Sequence, residues 1–318
     1  MLTLTKFCLI LCFFMLSHFS IKYPVFALYA VSIAYTQFRG KVKLKFLQQL
    51  VNHSAIMAPI NAIMYLFSTT ENKPFPDLKQ FPELAELQKH WLTFQEEAKQ
   101  LLAEGHIKAA ETNNDMGFNS FFKRGWKRFY IKWYGDQYIP SANELCPKTV
   151  AILKKFPKIK GAMFTLLPKH GQLKPHRDPY AGSLRYHLGL LTPNSDLCRI
   201  YVDDQFYSWR DGEGILFDET YIHSAKNETD IDRIIFFCDI ERPLNNKVAR
   251  FINRIFSQLV MAQSITQNLP SDPVGFFNRA FSYYHRLMQP LKRLKKQTPV
   301  FYRILQYSVF ASILYWLI

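Results

Sequence analysis

His176 and Asp178 stand two positions apart, and His223 and then Arg233 follow further along the chain. Two imidazoles and one carboxylate on one face of a metal are the ligand set of non-haem Fe(II) oxygenases, which keep the remaining positions open for a bidentate co-substrate and O₂. The H-x-D spacing suits a strand, where side chains two apart share a face. Arg233 adds a planar fork that matches a carboxylate bidentately. Each piece has a duller reading. A lone H-x-D usually marks a solvated turn, and a lone histidine is more often a satisfied core or surface residue than a ligand. The ordered combination argues for a metal-dependent oxygenase with His176, Asp178 and His223 as ligands.

Such a set needs strands that converge. From Gly161 the chain breaks into short β-rich runs, namely 162–167, 184–191, 198–202, 206–209, 214–217 and 233–239. Pro168, Pro179, Gly182, Pro193-Asn194-Ser195-Asp196 and Asp211-Gly212 separate them. Evenly spaced strands of this kind predict a mainly β fold with flanking helices, a double-stranded β-helix or jelly roll. Ahead of it, Leu84, Leu87, Trp91, Phe94 and Leu101 mark a helix over 83–104 that Gly105 stops. Alternation from Trp126 predicts a strand with aromatics on one face and a basic face on the other, and a helix is expected from Ser141 to Pro157. His170 reads as a loop residue. Asp218 and Glu219 read as orienting groups for the ligands or as turn formers.

The chain of 318 residues carries a formal net charge of +15. Nucleic acid, an anionic membrane and a phosphorylated substrate are the partners such a charge suits. No nucleic-acid-binding motif appears, and the Lys/Arg clusters flank apolar runs, which favours the membrane. Residues 7–35 are almost wholly apolar, long enough for one span. They read as an uncleaved anchor, and the cluster Arg39, Lys41, Lys43 and Lys45 places the following domain on the cytoplasmic side. The final run 304–318 is short for a span and is expected to snorkel or lie in the interface. Five cysteines without a C-x-x-C pair give no disulfide framework and suit a reducing compartment. The expected organisation is an anchor and basic flank over 1–45 and a helical and edge-strand region over 46–160. The catalytic jelly roll follows over 161–245, then amphipathic, membrane-associated helices over 246–318.

Three stretches carry a resemblance: Arg185-Tyr186-His187-Leu188-Gly189-Leu190, Trp209-Arg210-Asp211-Gly212, and Phe217 through His223. With the ending Arg233 through Pro243, the block from Thr165 resembles the aspartyl/asparaginyl β-hydroxylase family of iron- and 2-oxoglutarate-dependent dioxygenases. Over the whole chain the likeness is strongest to the bacterial branch that hydroxylates lipid A. The resemblance implies Fe(II) with 2-oxoglutarate and O₂ as co-substrates, and oxidative decarboxylation to succinate and CO₂. It assigns the metal to His176 and His223. Family members acting on protein Asp/Asn have glycine where this chain has Asp178, so here a full triad is available. It assigns 2-oxoglutarate to Arg233 and Arg185, supported by His187 and Thr165. The implied reaction is hydroxylation at C2 of an acyl chain of lipid A or a precursor, at the cytoplasmic face of the inner membrane. A membrane-anchored protein hydroxylase and a non-catalytic lipid- or partner-binding jelly roll are the alternatives.

Overall fold

The computed structural model describes residues 22–45, 48–49, 52–302, 304, 308 and 312, and the statements below concern these. Nine strands form two sheets: β1 Lys127–Lys132, β2 Ile159–Leu167, β3 Gln172–His176, β4 Ser183–Leu191, β5 Cys198–Val202, β6 Gln205–Ser208, β7 Gly214–Phe217, β8 His223–Asn227 and β9 Arg233–Glu241. The larger sheet runs β1-β2-β9-β4-β7 and the smaller β3-β8-β5-β6. Every neighbouring pair is antiparallel. The two sheets share one apolar interior, with Phe217, Ile235 and Phe237 from the larger meeting Leu173, Ile200 and Ala225 from the smaller.

All six β runs read from the sequence form strands, with ends moved by a few residues. Two further strands were not among them. β3 and β8 read QLKPH and HSAKN, polar segments that lie in the smaller sheet with one face toward water. Their side chains therefore lack the apolar alternation that marks a half-buried strand. These two strands carry His176 and His223.

The helices are α1 Lys22–Phe38, α2 Ala58–Leu66, α3 Pro82–Gln88, α4 Trp91–Ala103, α5 Pro140–Leu145, α6 Pro147–Leu153, α7 Lys247–Leu259 and α8 Phe276–Gln297, with short turns at His53–Ile56 and Asn119–Phe122. The single helix expected over 83–104 is two, α3 and α4, parted at Lys89-His90, and Leu84, Leu87, Phe94 and Leu101 face the core as expected. The helix expected from Ser141 is also two, because Pro147 has no N–H to continue α5 and instead opens α6. Ser141 is not its cap: Ile139 holds that position, and the Ser141 hydroxyl donates to Asp272.

The basic face expected on β1 is a correction of another kind. Arg128 and Lys132 are buried, and Arg128 Nε meets Asp115 at 3.1 Å inside the protein. This side of the edge strand is covered, so only Lys127 of the strand faces water.

Arg39, the first cation after α1, turns inward. Its guanidinium is buried against Asp218 (2.6 Å), Thr220 and Asn72, between the rings of Tyr65 and Tyr221. The backbone N–H groups of Lys41 and Val42 donate to Asp203. The segment after α1 is thus bolted to the barrel. No helix among the described residues is long and apolar enough to cross a membrane. Residues 7–21 of the expected anchor, and most of the final run 304–318, lie outside the described residues.

Candidate metal centre and co-substrate pocket

His176 and His223 are direct cross-strand partners on β3 and β8. Opposite residues in an antiparallel pair bring their Cβ atoms close, and here the ring centroids are 4.2 Å apart. Each imidazole is oriented the same way. Nδ1 of His176 meets the carbonyl of Lys174 at 2.7 Å, and Nδ1 of His223 that of Tyr221 at 3.0 Å. A carbonyl only accepts, so each Nδ1 carries the hydrogen and each Nε2 keeps a lone pair. Both Nε2 atoms point toward Asp178 Oδ1, at 3.6 and 3.9 Å. Candidate ligand atoms of the three residues all lie within 4.8 Å of one another. Burial, His176 and the opposing Asp178 charge leave the His223 imidazole pushed down to about 3, and burial also lowers His176. Both rings are therefore neutral at physiological pH, the state a metal ligand needs.

Asp178 is fixed from two sides. Its N–H donates to the Glu219 carbonyl (3.0 Å). Its Oδ2 accepts from Arg185 Nη1, leaving Oδ1 for the histidine pair. Burial raises this carboxyl, but Arg185 and the two imidazoles outweigh it and hold Asp178 below the usual carboxylate range. Arg185 in turn meets Asp239, its direct partner across β4–β9, at 2.9 Å. Asp239 accepts from Tyr134 (3.1 Å), whose hydroxyl also meets Ser183 Oγ at 2.8 Å. Ser183 donates to Glu219 at 3.0 Å. Glu219 thus touches the centre through its backbone carbonyl. Asp218 instead links Arg39 to Arg242 and touches none of the three ligands. His170 is an exposed loop residue, 3.0 Å from Asp230.

The other end of the same pocket is built in the opposite manner. Arg233, at the start of β9, is buried with its Nε unpartnered, and its guanidinium lies 4.5 Å from the Trp209 ring centroid. Both ring nitrogens of His187 and the indole N–H of Trp209 also lack partners. Burial, with only Cys198 opposing it, brings the Arg233 guanidinium down to about 10. Burial and the neighbouring Arg233 and Arg185 charges keep His187 neutral. Thr165 of β2 lines this pocket beside them. Buried donors without acceptors cost free energy unless a ligand supplies them. A carboxylate would supply acceptors to Arg233 and the Trp209 N–H. The residues present fit 2-oxoglutarate and a divalent metal.

The structure thus brings His176, His223, Arg185, His187, Thr165 and Arg233 to one pocket, with Asp178 beside the two histidines and Arg185 engaged by carboxylates. Sequence reasoning gave no site role to Trp209, Asp239 or Phe121. Trp209 stood in a quoted motif, and its buried unpaired N–H is the signal that assigns it. Phe121, whose ring centroid is 4.8 Å from that of His176, forms an apolar wall with Phe118 and Trp126.

The chain is similar to known hydroxylases. The aspartyl/asparaginyl β-hydroxylase family profile matches residues 88–243. An ornithine lipid ester-linked acyl 2-hydroxylase of Rhizobium tropici is 34% identical over 205 residues, covering 63% of this chain and 71% of the relative. The human aspartyl/asparaginyl β-hydroxylase is 28% identical over 126 residues, 38% of this chain but only 16% of the relative. A Pseudomonas putida prolyl-4-hydroxylase structure aligns over 50% of this chain and 88% of its own, with TM-score 0.34 and 16% identity.

Proposed function

Because the chain belongs to the aspartyl/asparaginyl β-hydroxylase family, we propose that it is an Fe(II)- and 2-oxoglutarate-dependent hydroxylase acting on the acyl chain of a membrane lipid. The specific reading is C2 of an acyl chain of lipid A or its precursor, at the cytoplasmic face of the bacterial inner membrane. The observation that carries the chemistry is the pairing of His176, Asp178 and His223 with the unpartnered Arg233–His187–Trp209 end of one buried pocket. The lipid class rests on the rhizobial relative, whose name describes acyl 2-hydroxylation of a lipid.

When bound, the metal and 2-oxoglutarate supply O₂ activation and the oxidising equivalents for an unactivated C–H bond. The chain's own residues orient and exclude. The carbonyls of Lys174 and Tyr221 hold both imidazoles in the tautomer that leaves Nε2 free. Arg185 keeps the Asp178 carboxylate charged and aimed at the histidine pair. Arg233 and Trp209 fix the distal carboxylate of the co-substrate. Phe118, Phe121 and Trp126 give the pocket a dry aromatic wall on the His176 side, where an apolar chain fits better than a polar peptide.

The test is mass spectrometry of the lipid fraction of cells carrying the protein or its His176→Ala form. One added oxygen on a lipid A acyl chain, absent with the variant, is the expected result. No added oxygen on any lipid under aerobic growth removes the lipid reading and leaves protein Asp/Asn hydroxylation as the substrate class to search.

A further inference from the structure

Helix α7 is folded inside out. It buries Ala249, Asn253 and Ser257, while Val248, Phe251 and Leu259 are each about two-thirds exposed (64–65%) and Ile255 is 39% exposed. The four exposed residues fall at helical spacing on one stripe, and Lys247, Arg250 and Arg254 run along one border of it. A solvated helix puts its apolar stripe inward, so this one is built for a second apolar phase.

The inner face explains why the helix does not simply roll over. Asn246 caps it, accepting from the N–H groups of Val248 and Ala249. Asn253 accepts from the Tyr180 hydroxyl and donates to the Gly182 carbonyl at 3.1 Å. Phe256 stacks on Tyr180 at 5.2 Å. These polar bonds fix the orientation and leave the apolar stripe outward.

The charge around the stripe selects the partner. Between residues 244 and 302 the sequence holds nine Lys/Arg and one acidic residue, Asp272. That single carboxylate is buried, accepting from Ser141 and from the backbone of Asn268 and Leu269. The outer surface of α7 and α8 therefore presents cations with apolar side chains between them and no exposed acid.

We propose that α7 is a bilayer-docking helix: it lies in the plane of an anionic lipid surface, inserting Val248, Phe251, Ile255 and Leu259 while Lys247 and Arg254 meet the lipid phosphates. Its inner face grips Tyr180 and Gly182, two and four residues after Asp178, so docking ties the Asp178 loop to the membrane through one helix. The placement stands on the burial and charge of α7 and does not depend on which lipid is hydroxylated.

The test uses the full chain with Cys8 and Cys12 changed to Ser and a spin label at Phe251→Cys; Cys146, Cys198 and Cys238 are buried. With phosphatidylcholine vesicles containing phosphatidylglycerol, the label becomes accessible to O₂ and shielded from a soluble nickel chelate. A label at Lys99→Cys, on the exposed side of α4, stays nickel-accessible. Lys247→Gln with Arg254→Gln raises the lipid concentration for half-insertion about 25-fold, about fivefold per charge. Nickel access at 251 that vesicles do not change overturns the proposal. So does shielding without lipid, which would put a second copy or the chain's own terminal residues on the stripe. Insertion in cells that form no hydroxylated lipid keeps the docking helix and removes only the substrate reading.

Discussion

Arg185 and Arg233 are two buried guanidinia facing the interior of one barrel, and they are treated in opposite ways. Arg185 sits between Asp178 and Asp239, with its hydrogen bonds met by protein. Arg233 has no carboxylate, leans on Trp209 and leaves its Nε unpaired. Both ends lie along one strand face: Arg233 opens β9 and Asp239, six residues on, lies roughly 20 Å away along it. The contrast separates two roles that the residue type alone does not. A saturated arginine holds protein groups in place, whereas one with a free donor lining a pocket is open to a ligand. Arg185 thereby positions Asp178, and Arg233 is the cation that the proposed co-substrate would meet.

The sharpest way to break the comparison is to remove each arginine in turn. Arg185→Met leaves Asp178 and Asp239 buried without a cation, which costs about 3–5 kcal/mol of stability. Arg233→Met removes an uncompensated buried charge and leaves the ligand-free stability unchanged or higher. Denaturant midpoints read this difference. The half-saturating 2-oxoglutarate concentration separates them the other way: Arg233→Met raises it by about 100-fold, as loss of a buried charge pair predicts. Equal destabilisation by the two substitutions would show that Arg233 has a protein partner after all.

The pH response sharpens the same contrast, because the metal end carries its own titrating groups. The His223 pKa is lowered to about 3 by burial and by His176, against an unfolded value of about 6.5. A depressed imidazole binds its proton only in the unfolded chain through this window, so its contribution is complete above about pH 6.5 and is lost as pH falls. Asp178 is also depressed, but its contribution persists down to the ordinary carboxylate range near about 3.9. Between these limits the two imidazoles lower stability as pH falls, while the buried Glu219 and Asp239 carboxyls, raised by burial, oppose them. The metal-free protein loses about 2 kcal/mol on going to about pH 5 from His223 alone, and His223→Gln flattens the slope. A slope that His223→Gln leaves unchanged would mean that this imidazole titrates freely.

Asp239→Asn tests the support behind Arg185 without touching a ligand. Its carboxylate is the direct cross-strand partner that holds Arg185 in place behind Asp178. Weakening such a support lowers metal affinity by about 10–100-fold. Anaerobic Fe(II) titration reads it, and Asp239→Glu restores part of the affinity if positioning is the role. Unaltered affinity would detach Asp239 from the centre.

How much of this was legible follows from where each residue sits. The larger-sheet strands announce themselves, because β4 and β9 are buried on both faces and read as apolar runs. Residue chemistry and order single out His176, Asp178, His223 and Arg233, and the fold brings the first three together with Arg233 in the same pocket as the histidines. The strands beneath the two histidines do not announce themselves, since β3 and β8 are polar, and β3 contains Pro175. Arg128 and Lys132 turn inward against the expected basic face because their partners, or the cover over them, come from distant segments; Arg39 is buried in the same way. Asp115 meets Arg128 from an irregular segment, and Asp218 meets Arg39 from across the chain. A sequence shows a charge but not its distant partner. Arg185 and Arg233 look alike for the same reason.

Trp209 offers the smallest and most specific probe of the open end. Its indole is buried against the Arg233 guanidinium, and its N–H has no protein acceptor. Trp209→Phe keeps most of the aromatic face under Arg233 and removes only that donor. A hydrogen bond to a charged group contributes about 1.5–3 kcal/mol, and the arginine's own bonds share the same carboxylate, so the lower figure applies. The half-saturating 2-oxoglutarate concentration should rise about tenfold, while folding stability falls by about 1 kcal/mol from the smaller ring alone. If the co-substrate requirement stays fixed, the indole N–H does not meet the co-substrate. The pocket's open end then reduces to Arg233 and His187.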